Sequence, residues 1–281
     1  MDNNMENSPI NYIHGYNQKE TQRLYQQAKL IYHFAHQDLP FQKKERLLEI
    51  GSGVGAQTAL LLKDFPNLHV TGIDREPGQI EQARHYLSTL PWTKWPDGTP
   101  RYEFLVMDAT NLKLEKNKYD CAYFCYVLEH MQQPDLVLSC VREVLQPGSP
   151  ISCYEELNET AYIYPPLPNV STYWKAMNEL QHEMGCDGDI GVRLGNLLMD
   201  AGFQNIQTQV HTFHHDNRNF SKKTEFFYYF RDILLTCSQT LLETKRISWE
   251  THDLMLEEIN EAAQNPESAI VFFNMQALGS A

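Results

Sequence analysis

The segment LEIGSGVGAQT combines small residues with a carboxylate in a way that suits the binding of a nucleotide-like cofactor. Its residues with little or no side chain are Gly51, Ser52, Gly53 and Gly55. Glycines permit positive φ and let the backbone approach a ligand closely. Glu49 precedes the loop, and Asp74 and Asp108 each follow a later apolar stretch. We therefore expect a cofactor site here, with carboxylates that can accept hydrogen bonds from hydroxyl or amine donors.

The glycine loop alone leaves two cofactors open. Gly51, Gly53 and Ala56 also satisfy the dinucleotide pattern G-x-G-x-x-G/A. Asp74 follows at about the distance expected of a carboxylate that binds a ribose hydroxyl. NAD and S-adenosylmethionine are both compatible with these residues, so a nicotinamide-dependent oxidoreductase is one alternative hypothesis.

Three features outside that pattern favour S-adenosylmethionine. A carboxylate at Glu49 would repel a pyrophosphate, but it can help to hold a cationic amino-acid group. Gly55 extends the run to G-x-G-x-G, which lets the backbone approach a compact amino-acid tail. Asp108 can accept a hydrogen bond from the exocyclic amine of adenine.

Four segments occur in the order and spacing of one known family. Over roughly residues 43–155, LEIGSGVGAQT, VTGIDREPGQIEQAR, FLVMDATNL and YDCAYFCYVLEHM resemble the motifs of the class I S-adenosylmethionine-dependent methyltransferases. The resemblance implies a methyltransferase that uses S-adenosyl-L-methionine. The binding residues that it implies are Gly51, Ser52, Gly53 and Gly55 for the methionine part, Asp74 for the ribose, Arg75 and Gln79 beside the adenosine, Asp108 and Ala109 for adenine, and Cys125 and Tyr126 closing the site.

Two further segments resemble one branch of this family, the ubiquinone-biosynthesis-like and natural-product enzymes that methylate small molecules. The sequence YIHGY, followed by Glu20, Arg23, Leu24 and Gln27, is similar to the N-terminal lid helix of that branch. The segment DIGVRL and the later AGF resemble its late segment. The resemblance implies that Tyr16 and Arg23 reach the cofactor.

The resemblance predicts in-line methyl transfer to a small, apolar or aromatic metabolite. An acceptor that must lose a proton also needs a base. The candidates are His130, His14, Tyr16, Glu155 and Glu156. His130 is the predicted catalytic residue, because a histidine recurs there in the family. A non-catalytic cofactor-binding scaffold is the remaining alternative.

Charge and one missing motif argue against a nucleic-acid partner. Acidic residues outnumber basic ones by 36 to 23, which gives a net charge of −13 and disfavours contact with phosphate backbones. The fourth predicted strand leads into CYVLEH and not into the Asn/Asp-Pro-Pro-aromatic loop of enzymes that methylate bases. The expected partner is a small-molecule methyl acceptor, and a homodimer is one option for the assembly.

Strand-like and helix-like stretches alternate along the chain, which is typical of parallel βαβ units. The predicted strands cover residues 46–50, 69–73, 102–106, 119–126, 151–154, 205–213 and 268–278. The predicted helices cover residues 19–36, 56–65, 78–90, 135–145, 192–201, 223–244 and 248–263.

These elements predict an α/β fold with a doubly wound, mostly parallel, Rossmann-like sheet of seven strands and helical lid insertions. We expect an N-terminal lid helix segment over residues 1–42 and a methyltransferase domain over residues 43–281. Cap insertions are expected at about residues 155–190 and 220–265. The Tyr, Trp and Met residues of 162–184 suit either cap packing or an apolar substrate wall.

The cysteines and the N-terminus predict a cytoplasmic protein. None of the six cysteines forms a CxxC pair or has zinc-site spacing to histidine, and HExxH is absent, so no metal is predicted. The first residues show no signal-peptide pattern, and no run of about 18 apolar residues occurs. A reducing compartment is the default for such a chain.

Overall fold

The computed structural model describes residues 12–281, in which nine helices and seven strands are defined. The strands are β1 (Arg46–Ile50), β2 (His69–Asp74), β3 (Tyr102–Val106), β4 (Cys121–Cys125), β5 (Pro150–Tyr164), β6 (Gln204–His215) and β7 (Ala269–Ser280). The helices are α1 (Gln18–Ala35), α2 (Ala56–Asp64), α3 (Pro77–Ser88), α4 (Pro134–Val144), α5 (Pro168–Glu183), α6 (Leu194–Asp200), α7 (Phe220–Thr236), α8 (Ser238–Glu243) and α9 (Trp249–Gln264).

All seven strands form one sheet in the order β3-β2-β1-β4-β5-β7-β6. The strands from β3 to β5 in this order pair in parallel, whereas β7 runs antiparallel to both β5 and β6. The chain moves outward in one direction from β1 to β3 and then returns to β4 on the other side of β1. This reversal makes a crevice at the carboxyl ends of β1 and β4, where ligands bind in such sheets. The predicted fold class is confirmed.

The parallel strands are apolar because helices cover both of their faces. Leu47 packs in a core with α2 and α3, whereas its neighbour Leu48 packs with α4 and α6. Both leucines are fully buried. Burial of such a side chain contributes roughly 1.5–3 kcal/mol, so this alternation fixes the register of β1 and the position of the loop that follows it.

Strands β5 and β7 are long, with 15 and 12 residues. Beyond the parallel sheet they carry a third, aromatic-rich core shared with α5, α7 and α9. The β5–β7 ladder is interrupted between Leu157 and Tyr162. These two residues are five positions apart on β5, whereas their partners Phe273 and Val271 are two positions apart on β7. Such bulges redirect side chains beside functional sites.

Two predicted elements differ from the structure by more than two residues at an end. The strand predicted over residues 151–154 continues to Tyr164, because its polar residues are buried against β7 and the cap instead of forming a loop. The single helix predicted over residues 223–244 is divided at Cys237 into α7 and α8. There the hydroxyls of Thr236 and Ser238 donate to the carbonyls of Ile233 and Leu235 and so compete with the helical ladder.

Helix α1 begins at a side-chain cap, because Asn17 Oδ1 accepts a hydrogen bond from the Glu20 amide. It packs against α2 and α7, with Ile31 and Ala35 buried in the aromatic-rich core. Of the segment predicted as a lid, residues 1–11 lie outside the described part of the chain. No helix within residues 12–281 is long and apolar enough to cross a membrane.

Candidate active site

A cavity of about 800 Å³ opens at the carboxyl ends of β1, β2 and β4, beneath α1, α5 and α7. It brings together nearly all the residues that the sequence predicts for the site. Those that line it are Tyr16, Arg23, Glu49, Gly51, Ser52, Gly53, Asp74, Arg75, Gln79, Asp108, Ala109, Cys125, Tyr126 and His130. Residues from the first strand-loop units and from the cap therefore share one enclosure.

The glycine loop is shaped by two different constraints. A Cβ on Gly51, whose φ is +66°, would lie 2.1 Å from Val127 Cγ2, so this glycine lets the turn after β4 pack against the loop. A Cβ on Gly53, whose φ is +49°, would meet no atom of residues 12–281 within 4 Å. Gly53 therefore leaves cavity space that a ligand can occupy.

Gly55 lies elsewhere, since it is not among the residues that line the cavity. It is the N-cap of α2 with φ +75°, and a Cβ there would lie 2.7 Å from Leu87 Cδ1 and 3.1 Å from the Ala83 Cβ. The structure thus accounts for Gly55 by the packing of α2 against α3.

The carboxylate of Asp74 is fixed by backbone donors on both sides. Its Oδ2 accepts from the Gly53 amide at 3.0 Å, and its Oδ1 accepts from the Glu76 amide at 2.9 Å. Each oxygen keeps a lone pair for a further donor. At the end of β3, Asp108 Oδ1 accepts from the amide and the hydroxyl of Thr110 at 2.8 Å, which orients the other oxygen of that carboxylate.

On the glycine-loop side of the cavity, two buried polar atoms have no partner. Within residues 12–281, Ser52 Oγ and Gln79 Oε1 are shielded from solvent and make no hydrogen bond. Unsatisfied buried groups of this kind are uncommon and costly. Together with the space beside Gly53 and the fixed Asp74 carboxylate, they fit a ligand that has both hydroxyl or amine donors and acceptor groups.

Glu49 is a buried carboxyl at the end of β1. Thr58 Oγ1, from the first turn of α2, donates a hydrogen bond to it. Burial raises the pKa of Glu49 to about 8, and the nearby Asp74 charge also raises it, while the Thr58 hydrogen bond lowers it. A cationic ligand group would favour its ionised form. Thr58 was not predicted from the sequence, because a threonine one turn into a helix gives no signal of its own.

The turn after β4 closes over the glycine loop. Tyr126 has φ +52°, an unusual conformation for a residue with a side chain, and its hydroxyl donates to Asn274 Oδ1 of β7. Glu155 then accepts from the amides of Val127, Leu128 and Glu129 at 3.1, 2.9 and 3.4 Å. Glu155 does not line the cavity, so the structure gives this candidate base the role of holding the turn.

The N-terminal segment covers the cavity with aromatic rings. Tyr12 stacks on Tyr16 with ring centroids 5.4 Å apart and meets the edge of His130 at 4.8 Å. His14 Nδ1 lies 2.7 Å from Thr236 Oγ1, which ties the segment to α7. Arg23, also in this cover, is held by two hydrogen bonds of 2.7 Å to Glu20.

The two candidate histidine bases are both poor proton acceptors at neutral pH. Burial and the nearby Arg23 charge lower the pKa of His130 to about 3. Burial and the same arginine hold the pKa of His14 well below its usual range. Both imidazoles are therefore neutral in the folded protein. His130 lies in the cavity as predicted, but its environment favours the role of a neutral hydrogen-bonding or packing group.

The lid side of the cavity holds polar residues that the sequence did not reveal. Glu129, Glu156, Asn158 and Gln181 all line it, and of these only Glu156 was a sequence-based candidate. Apolar residues lie on the same side. They are Ala28, Ile31, Met177 and Ile233. For the other three, the sequence offered one indication of a place in the site, which is that Glu129 is adjacent to His130.

The aromatic and methionine residues of 162–184 serve mainly as cap packing. Tyr162 and Tyr164 are exposed on β5, and Trp174 packs on Phe230 with ring centroids 5.0 Å apart. Among the described aromatic and methionine residues of this stretch, Met177 is the one that lines the cavity. Gln181 also lines it.

Comparison with known proteins agrees with this geometry. Residues 47–148 match a family described as a methyltransferase domain. Trans-aconitate 2-methyltransferase from Enterobacter sp. is 31% identical over 160 residues, which are 51% of this chain and 57% of that protein. A ubiquinone/menaquinone biosynthesis C-methyltransferase from Desulfotalea psychrophila is 26% identical over 39% of this chain and 41% of that protein.

A solved structure shows the same fold at low sequence identity. A phosphoethanolamine N-methyltransferase of Haemonchus contortus, in complex with phosphomonomethylethanolamine and S-adenosylhomocysteine, superposes with a TM-score of 0.52. It is 17% identical, and the match covers 90% of this chain and 52% of that one. The sequence matches span 32 to 57% of the length of the curated relatives. The predicted methyltransferase domain is supported by the match over residues 47–148, and the predicted fold is confirmed.

Proposed function

We propose that this chain is a class I S-adenosylmethionine-dependent methyltransferase that transfers a methyl group to a small molecule, on the premise of its methyltransferase domain at residues 47–148 and its fold. The observation that carries the proposal is the convergence, in one enclosed cavity, of the glycine loop with three carboxyls at successive strand ends. These carboxyls are Glu49, Asp74 and Asp108. Their placement suits a ligand with an amine, a ribose and an adenine.

The residues present fit that cofactor. Ser52 Oγ and Gln79 Oε1 are buried and unpartnered, so a bound ligand would satisfy both. Asp74 has lone pairs for ribose hydroxyls, and Glu49 is placed for an ammonium group. When bound, S-adenosylmethionine supplies an electrophilic methyl group. The predicted roles of Tyr16, Arg23, Arg75, Ala109, Cys125 and Tyr126 remain part of this proposal.

The chain's own contribution is to position the two ligands and keep water away. The ring cluster of Tyr12, Tyr16 and His130 covers the cavity, and the turn from Val127 to His130 is fixed between the glycine loop and Glu155. Holding reactants in one orientation converts an encounter into an effectively intramolecular step. Because His14 and His130 are weak bases, we propose that transfer requires no histidine base.

The acceptor that we propose is a small metabolite with an apolar or aromatic body. Ala28, Ile31, Met177 and Ile233 provide an apolar wall for such a body. The carboxyls of Glu129 and Glu156 face the same space and require donors on the acceptor. An acceptor that combines both features fits this lining better than a wholly apolar one.

Calorimetry separates the cofactor hypotheses. We expect S-adenosylhomocysteine to bind to the wild type and not to the Asp74→Ala/Gly51→Val variant. In a separate fluorescence measurement, we expect NADH to show no enhancement. Failure of S-adenosylhomocysteine to bind, or undiminished binding by that variant, would contradict the proposal. Catalysis is tested by the transfer of tritium from methyl-labelled S-adenosylmethionine to a panel of small phenols, acids and amines. Cofactor binding without transfer to any acceptor would favour the scaffold hypothesis.

Three predictions accompany this proposal. They are the division into a lid segment at residues 1–42 and a domain at residues 43–281 with two cap insertions, a cytoplasmic location, and assembly as a homodimer. Limited proteolysis, fractionation and light scattering test them in turn.

A further inference from the structure

We propose that the lid side of the cavity is a subsite for a protonated amine carried by the methyl acceptor, with the Glu156 carboxylate as its ion-pair partner. Asn158 Oδ1 and the Glu129 carboxylate are the further acceptors of its hydrogen bonds. This inference rests on the proposed function and adds the substrate class. It assigns recognition, and not proton transfer, to these three residues.

Strand β5 supplies the central residues, just before and within its bulge. Glu156 and Asn158 are two positions apart on the strand, which places successive odd or even residues on one face, and both line the cavity. Glu129 reaches the same space from the turn after β4, and Gln181 reaches it from α5. Glu156 is 8% exposed and Asn158 is 2% exposed, so neither is solvated as a surface group would be.

A chain of amides fixes which atom of Asn158 is available. A carboxylate can only accept, so Gln181 donates its Nε2 to Glu129 Oε2 at 3.1 Å. Gln181 Oε1 consequently accepts from Asn158 Nδ2 at 3.3 Å, and Asn178 Oδ1 accepts from the same nitrogen at 3.1 Å. Asn158 Oδ1 is thereby left as a buried acceptor with no partner among the described residues. It needs a donor from a ligand.

Glu156 is the carboxyl of this group that lacks a compensating donor. Glu155 accepts three backbone amides, and Glu129 accepts the Gln181 amide. The nearby guanidinium of Arg23 makes its hydrogen bonds with Glu20, whose charge balances it. In the part of the chain that the structure describes, no hydrogen bond to the Glu156 carboxyl is formed.

Burial without a partner makes this arrangement costly for an empty site and suitable for a cation. Burial and the charges of Glu129, Glu155 and Asp189 raise the pKa of Glu156 well above its usual range, against a lowering by Arg23. A buried carboxylate is stabilised by an opposite charge within hydrogen-bond distance. A ligand hydroxyl would satisfy the acceptors but would not stabilise the ionised form of Glu156. An ammonium or guanidinium group does both.

Three probes with a common phenyl body test this subsite: 2-phenylethylammonium, 2-phenylethanol and 3-phenylpropanoate. Their binding is measured by calorimetry to the full chain saturated with S-adenosylhomocysteine. We expect the ammonium to bind about tenfold more tightly than the alcohol, because charge-assisted hydrogen bonds are about twice as strong as neutral ones. The anion should bind most weakly.

Glu156→Gln is the decisive variant, and Glu159→Gln is its matched control. Glu159 is an exposed glutamate of the same strand that does not line the cavity, and its replacement makes the same change in net charge. Glu156→Gln should reduce the preference for ammonium to less than about threefold. Glu159→Gln should keep it. The melting temperature of Glu156→Gln should equal or exceed that of the wild type, since a buried group without a partner is removed.

The inference is overturned if the wild type fails to prefer the ammonium probe, if Glu156→Gln keeps the preference, or if Glu156→Gln unfolds several degrees earlier than the wild type. It is also overturned if Glu156→Gln weakens S-adenosylhomocysteine by about tenfold or more, because Glu156 would then belong to the cofactor site. Binding of S-adenosylhomocysteine to the wild type, measured in the same samples, shows separately whether the proposed function stands.

Discussion

The two sides of the cavity are built in different ways. On the cofactor side, the glycine loop, Asp74 and Asp108 lie at the carboxyl ends of β1, β2 and β3 and come from one stretch of about sixty residues. On the lid side, the residues come from α1, the turn after β4, β5, α5 and α7. A sheet with parallel strands places its carboxyl ends together by topology alone. The lid side depends on long-range packing.

The two sides also treat their carboxyls differently. Asp74 and Asp108 each accept two hydrogen bonds from nearby protein groups, and Glu49 accepts one from Thr58. Glu156 on the lid side accepts none from residues 12–281. The protein thus fixes the carboxyls of the cofactor side by its own hydrogen bonds, whereas Glu156 needs a ligand to supply its hydrogen-bond donors. The predictions below test this contrast.

The largest effect is expected from Gly51→Ala. The new Cβ would lie 2.1 Å from Val127 Cγ2, at a φ of +66° that disfavours any side chain. The strain and the displaced turn should weaken S-adenosylhomocysteine by roughly 100- to 1,000-fold. Calorimetry measures this loss.

Gly98→Ala is the control for conformational strain. Gly98 has φ +86°, but a Cβ there would meet no described atom within 4 Å. Its replacement should cost only about 1–2 kcal/mol of stability and leave cofactor affinity unchanged. Equal losses of affinity in the two variants would show that the Val127 contact does not matter.

The neighbouring glutamates of β5 should respond in opposite ways to removal. Glu155→Ala leaves three buried amides without an acceptor, at about 1 kcal/mol each, and should lower the melting temperature by roughly 5–10 °C. Glu156→Ala removes a carboxyl that accepts no hydrogen bond from the described residues, so it should shift the melting temperature by less than about 2 °C. Calorimetric melting of both variants measures the difference. Similar destabilisation by both would remove the distinction between holding the turn and binding a ligand.

Asp74→Asn should reduce cofactor affinity while Asp120→Asn should not. Both carboxylates accept two backbone amides, but Asp120 does so at the opposite end of β1, from Glu45 and Arg46 at 2.9 Å. Loss of a charged acceptor should weaken S-adenosylhomocysteine by roughly 10- to 100-fold in Asp74→Asn. If the Asp120 variant loses as much affinity, the effect is one of loop stability and not of ribose binding.

The last prediction is a decline of stability with rising pH in the ligand-free protein. Burial raises the pKa of Glu49 and Glu155 to about 8 and that of Glu129 to about 7, so the folded state keeps protons that the unfolded chain has already lost. Stability should therefore fall from about pH 6.5 to about pH 8, by up to about 1.4 kcal/mol per pH unit for each group.

The lower limit of that window is set by the buried histidines. The pKa values of His14 and His130 are lowered, so below about pH 6.5 the unfolded chain gains protons that the folded state rejects, which opposes the carboxyl effect. Thermal melts across this range measure the slope. A flat or rising profile above pH 6.5 would show that these carboxyls are ionised in the folded protein.

The sequence was sufficient for the cofactor side because local patterns carry that information. The predicted strands at residues 46–50 and 102–106 coincide with β1 and β3, and the residues that follow β1 and β3 line the cavity. Gly55 shows the limit of this approach, since a glycine required by helix packing looks the same in sequence as one required by a ligand.

The lid side could not be predicted for a physical reason. Buried polar residues interrupt the apolar pattern by which a strand is recognised, so EELNET has the composition of an insertion although it continues β5. The side-chain relay from Glu129 through Gln181 to Asn158 joins residues that are 52 and 23 positions apart. Only the packing of α5 against the sheet brings them together.

The turn from Val127 to His130 belongs to both sides, and this has a thermodynamic consequence. Val127 packs on Gly51, and the next two amides are held by Glu155, the strand neighbour of Glu156. A ligand on either side therefore acts on the same few atoms. Thermodynamic linkage then requires that the two effects be equal. If the bound cofactor changes the affinity for the acceptor by some factor, the bound acceptor changes the affinity for the cofactor by the same factor.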